Sequence, residues 1–413
     1  MAHSKKKIAL VVQRYGTEVN GGAELHCRLI AEHLNAGYDL EILTSCAKNH
    51  ITWFDEYEAG VTEINGVSVR RFATGNDHNR KKLRLVTRKL YNKRTYQKLL
   101  HFLGLNKLNL AAITDKDYAD WIQYQGPYLP QLIQYLREHE SGFDVLIFFT
   151  YLYYPTVEGL KVAPQKSILI PTAHDEPPIY FPIFRQVFNS PEAILYNTES
   201  EKKFVEKLFN NQSVYSDIAG VGIEVPAEAG KVNVANITGS NNDYLIYIGR
   251  IDALKGCAML FEYLVRYNQT TEKPVKLILA GQATMQIPAD KNITALGFVD
   301  DDTKNAVLQN AKALVMPSFY ESLSLVTLES MAYGVPVIAN QNCEVLKDHI
   351  ENSQAGFLFD DFTSFKTALD TLFDPGTNLG TMRRNAINYV AQNYSWTSTL
   401  QKYRKAIEYV CND

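Results

Sequence analysis

Short apolar runs alternate with amphipathic segments along most of this chain of 413 residues. A short apolar run bounded by polar and turn-forming residues is typical of a buried strand, and apolar residues spaced three and four apart predict a helix. A first series of predicted strands comprises Ile8–Val12, Leu40–Thr44, Val67–Phe72, Val145–Phe149, Ser167–Ile170 and Ala193–Tyr196. A second series comprises Tyr244–Ile248, Val275–Ala280, Ile293–Leu296, Ala313–Met316 and Val335–Ala339. Helices are predicted between many of them, as at Glu24–Asn35, Glu199–Phe209 and Thr303–Ala311.

This alternation predicts the fold class and the domain organisation. It indicates an α/β protein in which helices cover both faces of parallel sheets. Two series of strands indicate two doubly wound, Rossmann-like domains. The stretch Pro226–Asp243 is rich in Gly, Asn and Ser and has little periodicity, so the boundary is predicted there, between domains 1–225 and 226–395. A ligand is expected in the cleft at the carboxyl ends of the strands.

Composition narrows the class of protein. Hydrophobic residues make up 46% of the chain and charged residues 21%, as in soluble globular proteins. A formal net charge of −3 argues against a general affinity for nucleic acid. The five cysteines are scattered, without metal-binding spacing or a disulfide framework, which favours a reducing cytoplasm. The apolar run near the N-terminus is too short for a signal peptide, and no run is long enough for a membrane span.

A basic segment interrupts the first domain within an insertion-like region at about 76–125. His78–Lys98 contains nine Lys or Arg and no acidic residue, with leucines interleaved at partly helical spacing. Such a segment forms either a solvated helical face or a basic amphipathic helix that contacts anionic lipid or a pyrophosphate-linked acceptor. The sequence leaves both interpretations open.

Two glutamates in the second domain carry the clearest chemistry. Glu321 follows the predicted strand Ala313–Met316 and lies in a polar loop that leads into a helix predicted at Leu323–Tyr333. Glu329 lies about two turns into that helix, and helical side chains lean back toward the N-terminus. The first turn of a helix offers N–H groups and a positive dipole to phosphate. Two carboxylates beside an anion site indicate recognition of hydroxyls next to a phosphate, as a nucleotide sugar presents them.

The surrounding frame resembles that of the retaining glycosyltransferases of family four, which have the GT-B fold, in particular those of bacterial exopolysaccharide and cell-envelope synthesis. That family carries a Glu, seven residues and a second Glu within P-S-x-x-E-x-x-x-L-x-x-x-E-x-x-A-x-G-x-P-V-I-A. The matching residues are Pro317, Ser318, Glu321, Leu325, Glu329, Ala332, Gly334, Pro336, Val337, Ile338 and Ala339. The resemblance implies two Rossmann-like domains that face each other across a cleft, and a C-terminal helix at 396–413, after Tyr394-Ser-Trp396, that packs back on the N-terminal domain.

The resemblance also implies roles for charged residues. Tyr247–Gly256 is similar to the family's Gly-Arg…Lys-Gly segment, in which Arg250 and Lys255 would grip the diphosphate next to Gly249. Fixed cations there would stabilise the charge that grows on the leaving group. Glu321 would accept hydrogen bonds from the transferred sugar, and Glu329 from the ribose.

Backbone and aromatic contacts to the donor follow from the same resemblance. The backbone amides of Ser322, Leu323, Ser324 and Leu325 would hold sugar and phosphate. The family often has Gly at the positions of Ser322 and Ser324. Serine has the same backbone amides as glycine, but its side chain narrows the loop. Phe298, in a segment similar to the family's L-G-x-V, would either flank the base or belong to the core.

Three residues of the N-terminal domain complete the implied site. Gly21 and Gly22 open the first predicted helix and match the family's glycine loop near the diphosphate and the transferred sugar. His174 lies in Pro171–Glu176, which resembles the family's His-Asp loop, where it would hydrogen-bond the sugar near its 6-hydroxyl. Asp175 would either hold this loop or contact substrate.

The resemblance implies a metal-independent hexosyltransferase without a resident cofactor that acts in the cytoplasm on a glycan or lipid-linked acceptor. Peripheral membrane contact through His78–Lys98 is one of the two interpretations of that segment that stay open. Glucose from UDP-glucose is the expected donor because it is the most frequent, and galactose, N-acetylglucosamine and GDP- or TDP-sugars stay open. The two Asp-x-Asp patterns, Asp115–Asp117 and Asp300–Asp302, are too short to indicate a metal, and the second is expected to open a helix. A nucleotide-sugar epimerase, a phosphorylase and an inactive sugar-nucleotide-binding subunit are the alternatives.

Overall fold

The computed structural model describes residues 5–19, 21–75, 80–91, 113–224, 232–238 and 243–412. The chain divides into two compact units. Unit 1 comprises Met1–Ala219 and Leu400–Asp413, and unit 2 comprises Gly220–Thr399. The predicted boundary region, Pro226–Asp243, lies mostly outside the described residues.

Unit 1 is built on an eight-stranded sheet with the order β3-β4-β2-β1-β5-β6-β7-β8. Its strands are β1 (Lys7–Val11), β2 (Asp39–Ser45), β3 (Gly60–Ile64), β4 (Val67–Phe72), β5 (Val145–Phe149), β6 (Ser167–Ile170), β7 (Ala193–Tyr196) and β8 (Tyr215–Ile218). All neighbouring strands are parallel except the β3–β4 hairpin. Because β1 lies between β2 and β5, the chain reverses its winding direction there, and this switch point is where doubly wound folds bind ligands.

Helices flank this sheet, and most of them bury one apolar face against it. They are α1 (Gly22–Leu34), α2 (Arg80–Tyr91), α3 (Asp115–Gln125), α4 (Pro130–His139), α5 (Tyr154–Gly159), α6 (Phe184–Asn189) and α7 (Glu199–Phe209), with 3-10 turns at Glu140–Gly142, Pro164–Lys166 and Pro177–Tyr180. The C-terminal helix α15 (Trp396–Val410) returns to this unit. Its buried Tyr403 hydroxyl lies 3.1 Å from His26 Nε2 of α1, and Tyr409 stacks on Tyr215.

Unit 2 contains a six-stranded parallel sheet with the order β11-β10-β9-β12-β13-β14. Its strands are β9 (Tyr244–Ile248), β10 (Lys276–Ala280), β11 (Ile293–Gly297), β12 (Ala313–Met316), β13 (Val337–Asn340) and β14 (Gly356–Phe359). Its helices are α8 (Val234–Thr238), α9 (Cys257–Asn268), α10 (Asp301–Gln309), α11 (Leu325–Ala332), α12 (Glu344–Ser353), α13 (Phe362–Phe373) and α14 (Leu379–Asn393). The switch point lies between β9 and β12.

The predicted fold class is confirmed, since both units are doubly wound α/β structures. The helix predicted at Leu323–Tyr333 is shorter and begins at Leu325, because Ser324 adopts a left-handed conformation. Asp300 caps α10, with its side chain accepting the Thr303 N–H at 2.7 Å, so the second Asp-x-Asp pattern opens a helix as predicted.

The basic segment is described only over α2. Leu90 is buried and Lys89 pairs with Asp117 of α3, whereas Arg80, Lys81, Lys82, Arg84 and Arg88 are exposed. The rest of His78–Lys98 lies outside the described residues. Within the described ranges, no helix is both long enough and apolar enough to cross a membrane.

Candidate functional site

The carboxyl edge of the unit 2 sheet brings Lys255 and Glu321 together. Lys255 lies in the loop after β9 and Glu321 in the loop after β12, and these two strands flank the switch point. Lys255 Nζ lies 2.7 Å from Glu321 Oε1. Both side chains are partly buried, with 32% and 13% of their surface exposed, so solvent reaches the cation more than the carboxylate. The two residues that the sequence singles out from distant motifs are therefore direct partners.

Asp252 organises the loop that carries both predicted cations. Its Oδ2 accepts a hydrogen bond from Arg250 Nε, and its Oδ1 accepts the Lys255 backbone N–H at 2.8 Å. The Asp252 carboxylate therefore orients the Arg250 guanidinium and fixes the turn that leads to Lys255. The Arg250 side chain is 38% exposed, which leaves part of the guanidinium accessible to an anion.

Glycines allow the loops after β9, β10 and β12 to approach one another closely. Gly256 has a φ of +75°, and a Cβ there would lie 2.2 Å from the Pro317 carbonyl oxygen. Gly281 has a φ of +145°, and its Cβ would lie 1.9 Å from the Gly249 carbonyl oxygen. Larger residues at these two positions would force the loops apart. The glycines thus determine the shape of the sheet edge on which the candidate residues lie.

The N-terminus of α11 is the predicted anion-binding element of this edge. Ser324 is its N-cap residue, with φ 60° and ψ 69°, and its hydroxyl lies 2.8 Å from Thr327 Oγ1. The left-handed conformation explains why glycine suits this position in similar sequences, since serine adopts it at some cost in free energy. The amides in the first turn of a helix have no intrahelical acceptor, so the Leu325 and Val326 N–H groups are available to an anion.

Glu329 has a protein partner that the sequence did not indicate. Its Oε1 lies 3.2 Å from Nζ of Lys304 in α10, and Lys304 also lies 3.3 Å from Asp301. Burial raises the pKa of the Glu329 carboxyl above its usual value, against the opposing effect of Lys304. Burial disfavours the charge on Lys304, but Glu329 and Asp301 together raise the pKa of its amine. Glu329 therefore presents a largely desolvated carboxylate held by one cation.

Large apolar side chains near this edge are exposed. Phe298, directly after β11, has 71% of its surface accessible and so is not a core residue. Leu254, Phe319 and Tyr320 are also exposed and flank Lys255 and Glu321 in sequence. Of the two interpretations of Phe298 left open by the sequence, burial in the core is therefore wrong.

In unit 1, the glycine loop after β1 encloses a buried ion pair. Oε1 of Glu24 in α1 accepts hydrogen bonds from Arg14 Nε and Nη2 at 2.9 and 2.5 Å and from Gln13 Nε2 at 2.9 Å. A Cβ on Gly21 would lie 2.0 Å from Glu24 Oε2, so glycine makes room for this carboxylate, whereas a Cβ on Gly22 would meet open space. A larger residue at Gly21 would therefore displace the Glu24 carboxylate, whereas Gly22 has room for a side chain, and both glycines are exposed.

His174 lies in a strained loop at the carboxyl end of β6. Its Nε2 lies 3.6 Å from Glu176 Oε2, and Glu176 Oε1 accepts the Tyr151 hydroxyl at 2.7 Å. Burial tends to raise the pKa of Glu176, but hydrogen bonds from His174 and Tyr151 hold it below its usual value. Thr172 has a φ of 50°, and such strain near a strand end is typical of functional loops. The neighbouring Asp175 accepts the Tyr180 hydroxyl at 2.7 Å.

Sequence reasoning identified the residues that face outward at the sheet edges but missed those that hold them. Asp252 lies inside the Tyr247–Gly256 segment, and Glu24 and Lys304 lie in predicted helices, but sequence reasoning assigned none of the three a role in the site. The one signal was spacing, since Asp252 lies between the two predicted cations. Within the described ranges, no group of three or more His, Cys, Asp or Glu has the arrangement of a metal site.

Comparison with known proteins agrees with this architecture. The fold is that of the GT-B glycosyltransferases: sucrose-phosphate synthase from Thermosynechococcus elongatus matches with a TM-score of 0.69 and 16% identity, over 99% of this chain and 100% of that one. HepE from Anabaena, solved in complex with UDP-glucose, matches with a TM-score of 0.66 and 14% identity, over 97% and 99% of the two chains.

Residues 242–374, within unit 2, match the family described as glycosyl transferases group 1. An uncharacterized glycosyltransferase of Methanocaldococcus jannaschii is 24% identical over 81% of this chain and 80% of its own length. D-inositol 3-phosphate glycosyltransferase of Kribbella flavida is 28% identical over 56% of this chain and 61% of its own length. These matches support a glycosyltransferase with the GT-B fold.

Proposed function

We propose that this protein is a retaining glycosyltransferase that transfers a hexose from a nucleotide diphosphate sugar to an acceptor hydroxyl. The observation that carries the proposal is the Lys255–Glu321 pair at the switch point of unit 2, with Arg250 on the same loop. Lys255 Nζ and Glu321 Oε1 lie 2.7 Å apart, which supports the proposal that the cation binds the leaving diphosphate and the carboxylate binds adjacent sugar hydroxyls. This is the arrangement that a donor with adjacent sugar and phosphate requires.

Each residue has a defined role in this proposal. Arg250 and Lys255 stabilise the charge that develops on the diphosphate as its bond to the sugar breaks. Glu321 accepts hydrogen bonds from sugar hydroxyls at the 3- and 4-positions. Glu329 accepts those of the ribose. Amides at 322–325 hold the phosphate and sugar.

The reaction proceeds by attack of the acceptor hydroxyl on the face from which the diphosphate leaves. The new glycosidic bond forms as the bond to the phosphate oxygen breaks, and that oxygen takes the acceptor proton. This scheme uses no enzymic nucleophile, because the acceptor hydroxyl attacks the sugar directly. It uses no metal ion, because two fixed cations neutralise the leaving group, and no resident cofactor takes part. We assign three residues of unit 1 to the diphosphate and the transferred sugar: Gly21, Gly22 and His174.

UDP-glucose is the proposed donor, and a polysaccharide or lipid-linked glycan the proposed acceptor. The UDP-glucose complex of HepE supports the choice of donor. The inositol phosphate glycosyltransferases among the relatives support a hydroxylated, anionic acceptor as the alternative to a glycan.

The donor assignment is tested by nucleoside diphosphate release from a panel of UDP-, GDP- and TDP-sugars. We expect release to be fastest from UDP-glucose. We also expect NMR to show that the glucose released first is the α-anomer, as in the donor. Glu329→Gln, which keeps an oxygen acceptor for Lys304, should raise the Michaelis constant for the donor about tenfold. Glu351→Gln, an exposed change in the same unit, is the control. No release from any donor would contradict enzymatic activity and favour a binding subunit.

We also propose that α2 places the protein on the cytoplasmic membrane surface. Five exposed cations lie on this helix and no acid, while Leu83, Val86 and Leu90 pack into unit 1. Clustered cations on a helix attract anionic lipid. Flotation with phosphatidylglycerol vesicles should fall for the double variant Arg84→Glu and Arg88→Glu. It should not fall for Lys203→Glu with Lys405→Glu, which reverses two exposed charges elsewhere in unit 1. Equal flotation of the two double variants would overturn this proposal.

A further inference from the structure

A buried histidine holds the loop that leads into α11. His349 of α12 has 1% of its surface exposed. Its Nε2 lies 2.8 Å from the Leu323 carbonyl oxygen, and its Nδ1 lies 3.0 Å from the Tyr389 hydroxyl of α14. The ring therefore connects α14 to the residue directly before Ser324.

The chemistry of the partners fixes where the proton lies. A carbonyl oxygen only accepts hydrogen bonds, so Nε2 carries the proton, and Nδ1 of the neutral ring accepts from Tyr389. Burial lowers the pKa of His349, which favours this neutral form. The Tyr389 oxygen is in turn hydrogen-bonded to the Tyr394 hydroxyl. The backbone carbonyl of Tyr394 accepts the Ile223 N–H at 2.8 Å, which anchors the far end of the chain of bonds.

The consequence for the site follows from peptide geometry. The Leu323 carbonyl and the Ser324 N–H belong to one planar trans peptide, so they point in opposite directions. A hydrogen bond that fixes the carbonyl also fixes the direction of the Ser324 amide. Ser324 adopts a φ of 60°, which a serine does not favour without support. A rotation of this peptide would change the direction of the Ser324 N–H directly before the first turn of α11.

We infer that His349 is a positioning residue that aims the Ser324 N–H at the sugar phosphate of the bound donor. This inference rests on the proposed function, because it assigns the amide to the donor. His349 does not touch the donor itself; it acts through the Leu323–Ser324 peptide. Sequence motifs do not reveal this role, since His349 lies 25 residues after Ser324, on the next helix.

Three variants separate this role from simple packing. His349→Phe keeps an aromatic ring and removes both hydrogen bonds. His349→Gln retains an N–H donor for the Leu323 carbonyl. Tyr389→Phe removes the hydroxyl behind the ring but leaves the Nε2 donor in place. We expect His349→Phe to weaken UDP binding, measured by calorimetry, about tenfold, because the Leu323 carbonyl loses its partner. We expect His349→Gln to stay within about threefold of the unaltered protein, and Tyr389→Phe to lie between them.

Unchanged UDP affinity in His349→Phe would overturn the inference, and so would an equal loss in His349→Phe and His349→Gln. Hydrogen exchange of the amides at 324–328, measured on the full chain without nucleotide, distinguishes failure of this inference from failure of the proposed function. Faster exchange in His349→Phe than in His349→Gln supports positioning even if the unaltered protein binds no nucleotide. Identical exchange in the two variants contradicts it.

Discussion

At the scale of single residues, Asp252 is the link between the two cations of unit 2. Its two oxygens hold Arg250 Nε and the Lys255 backbone N–H. Asp252→Asn replaces one oxygen by an amide that donates, so the guanidinium loses its charged acceptor. Because we propose that Arg250 acts on the leaving group, we expect turnover to fall about tenfold or more while the donor's Michaelis constant changes little.

The matched control is Asp290→Asn, in another loop of unit 2. Asp290 Oδ1 accepts the Asn292 N–H at 2.7 Å, and the residue belongs to no part of the candidate site. We expect its steady-state kinetics to be those of the unaltered enzyme. A turnover loss of the same size in both variants would show that Asp252 acts only on stability.

Glu201 gives a prediction about pH and stability. Its carboxylate accepts the Ala173 and Asn197 N–H groups at 2.5 and 2.6 Å, and Ala173 precedes His174. Burial raises the pKa of Glu201 from 4.5 to about 8. A folded pKa above the unfolded value means that the group contributes stability that is complete below about pH 4.5 and is lost as the pH rises through about 8.

The measurement compares the free energy of unfolding of the unaltered protein with that of Glu201→Gln, which does not titrate. We expect the stability advantage of the unaltered protein to be smaller at pH 9 than at pH 6 by about 3 kcal/mol. The same advantage at both pH values would show that Glu201 is ionised throughout and that its two N–H donors outweigh burial.

At the scale of elements, glycines at the strand ends determine how closely the loops of unit 2 pack. Gly281 and Gly297 both have positive φ, but a Cβ on Gly281 would collide with the Gly249 carbonyl oxygen, whereas a Cβ on Gly297 would meet open space. We expect Gly297→Ala to lower the free energy of unfolding by about 1 kcal/mol, from backbone strain alone. Gly281→Ala should lower it by more than about 3 kcal/mol, since backbone must also move. Chemical denaturation of both variants checks this, and equal losses would contradict the collision.

The strands also show which elements hydrophobic patterning predicts and which elements it misses. Strands buried on both faces, such as β5 and β12, match their predicted bounds because every residue is apolar. The strands that were not predicted, β3, β8 and β14, are edge strands of the two sheets, and most of their residues are not buried. For β3 and β8 the reason is that an edge strand does not require a continuous apolar run and so gives little signal, whereas β14 contains the apolar run Phe357–Phe359, which was overlooked.

The residues of the candidate site also divide into those that a single sequence indicates and those that it does not. The residues that we assign to the ligand lie in short local motifs, so a single sequence is enough to propose Glu321, Arg250 and Lys255. Their supports come from elsewhere in the fold: Lys304 reaches Glu329 from α10, and His349 reaches Leu323 from α12. A contact of this kind depends on tertiary packing, which a single sequence does not display.

At the scale of the whole molecule, the chain passes between its two units twice, near Ala219 and near Thr399. The residues proposed to bind the donor lie in both units: unit 2 contains Arg250, Lys255, Glu321 and Glu329, and unit 1 contains Gly21, Gly22 and His174. Each unit has its own sheet and core. We therefore assign the nucleotide to unit 2 and predict that nucleotide alone affects this unit first.

Hydrogen–deuterium exchange of the full chain with and without UDP tests this claim most directly. A ligand that binds the folded state suppresses the opening of the segments that it contacts. We predict slower exchange at 249–256 and 321–329 on addition of UDP, and loss of this protection in the variant that combines Arg250→Ala with Lys255→Ala. Unchanged exchange in both segments, at UDP concentrations that saturate binding, would contradict the assignment of the donor site to unit 2.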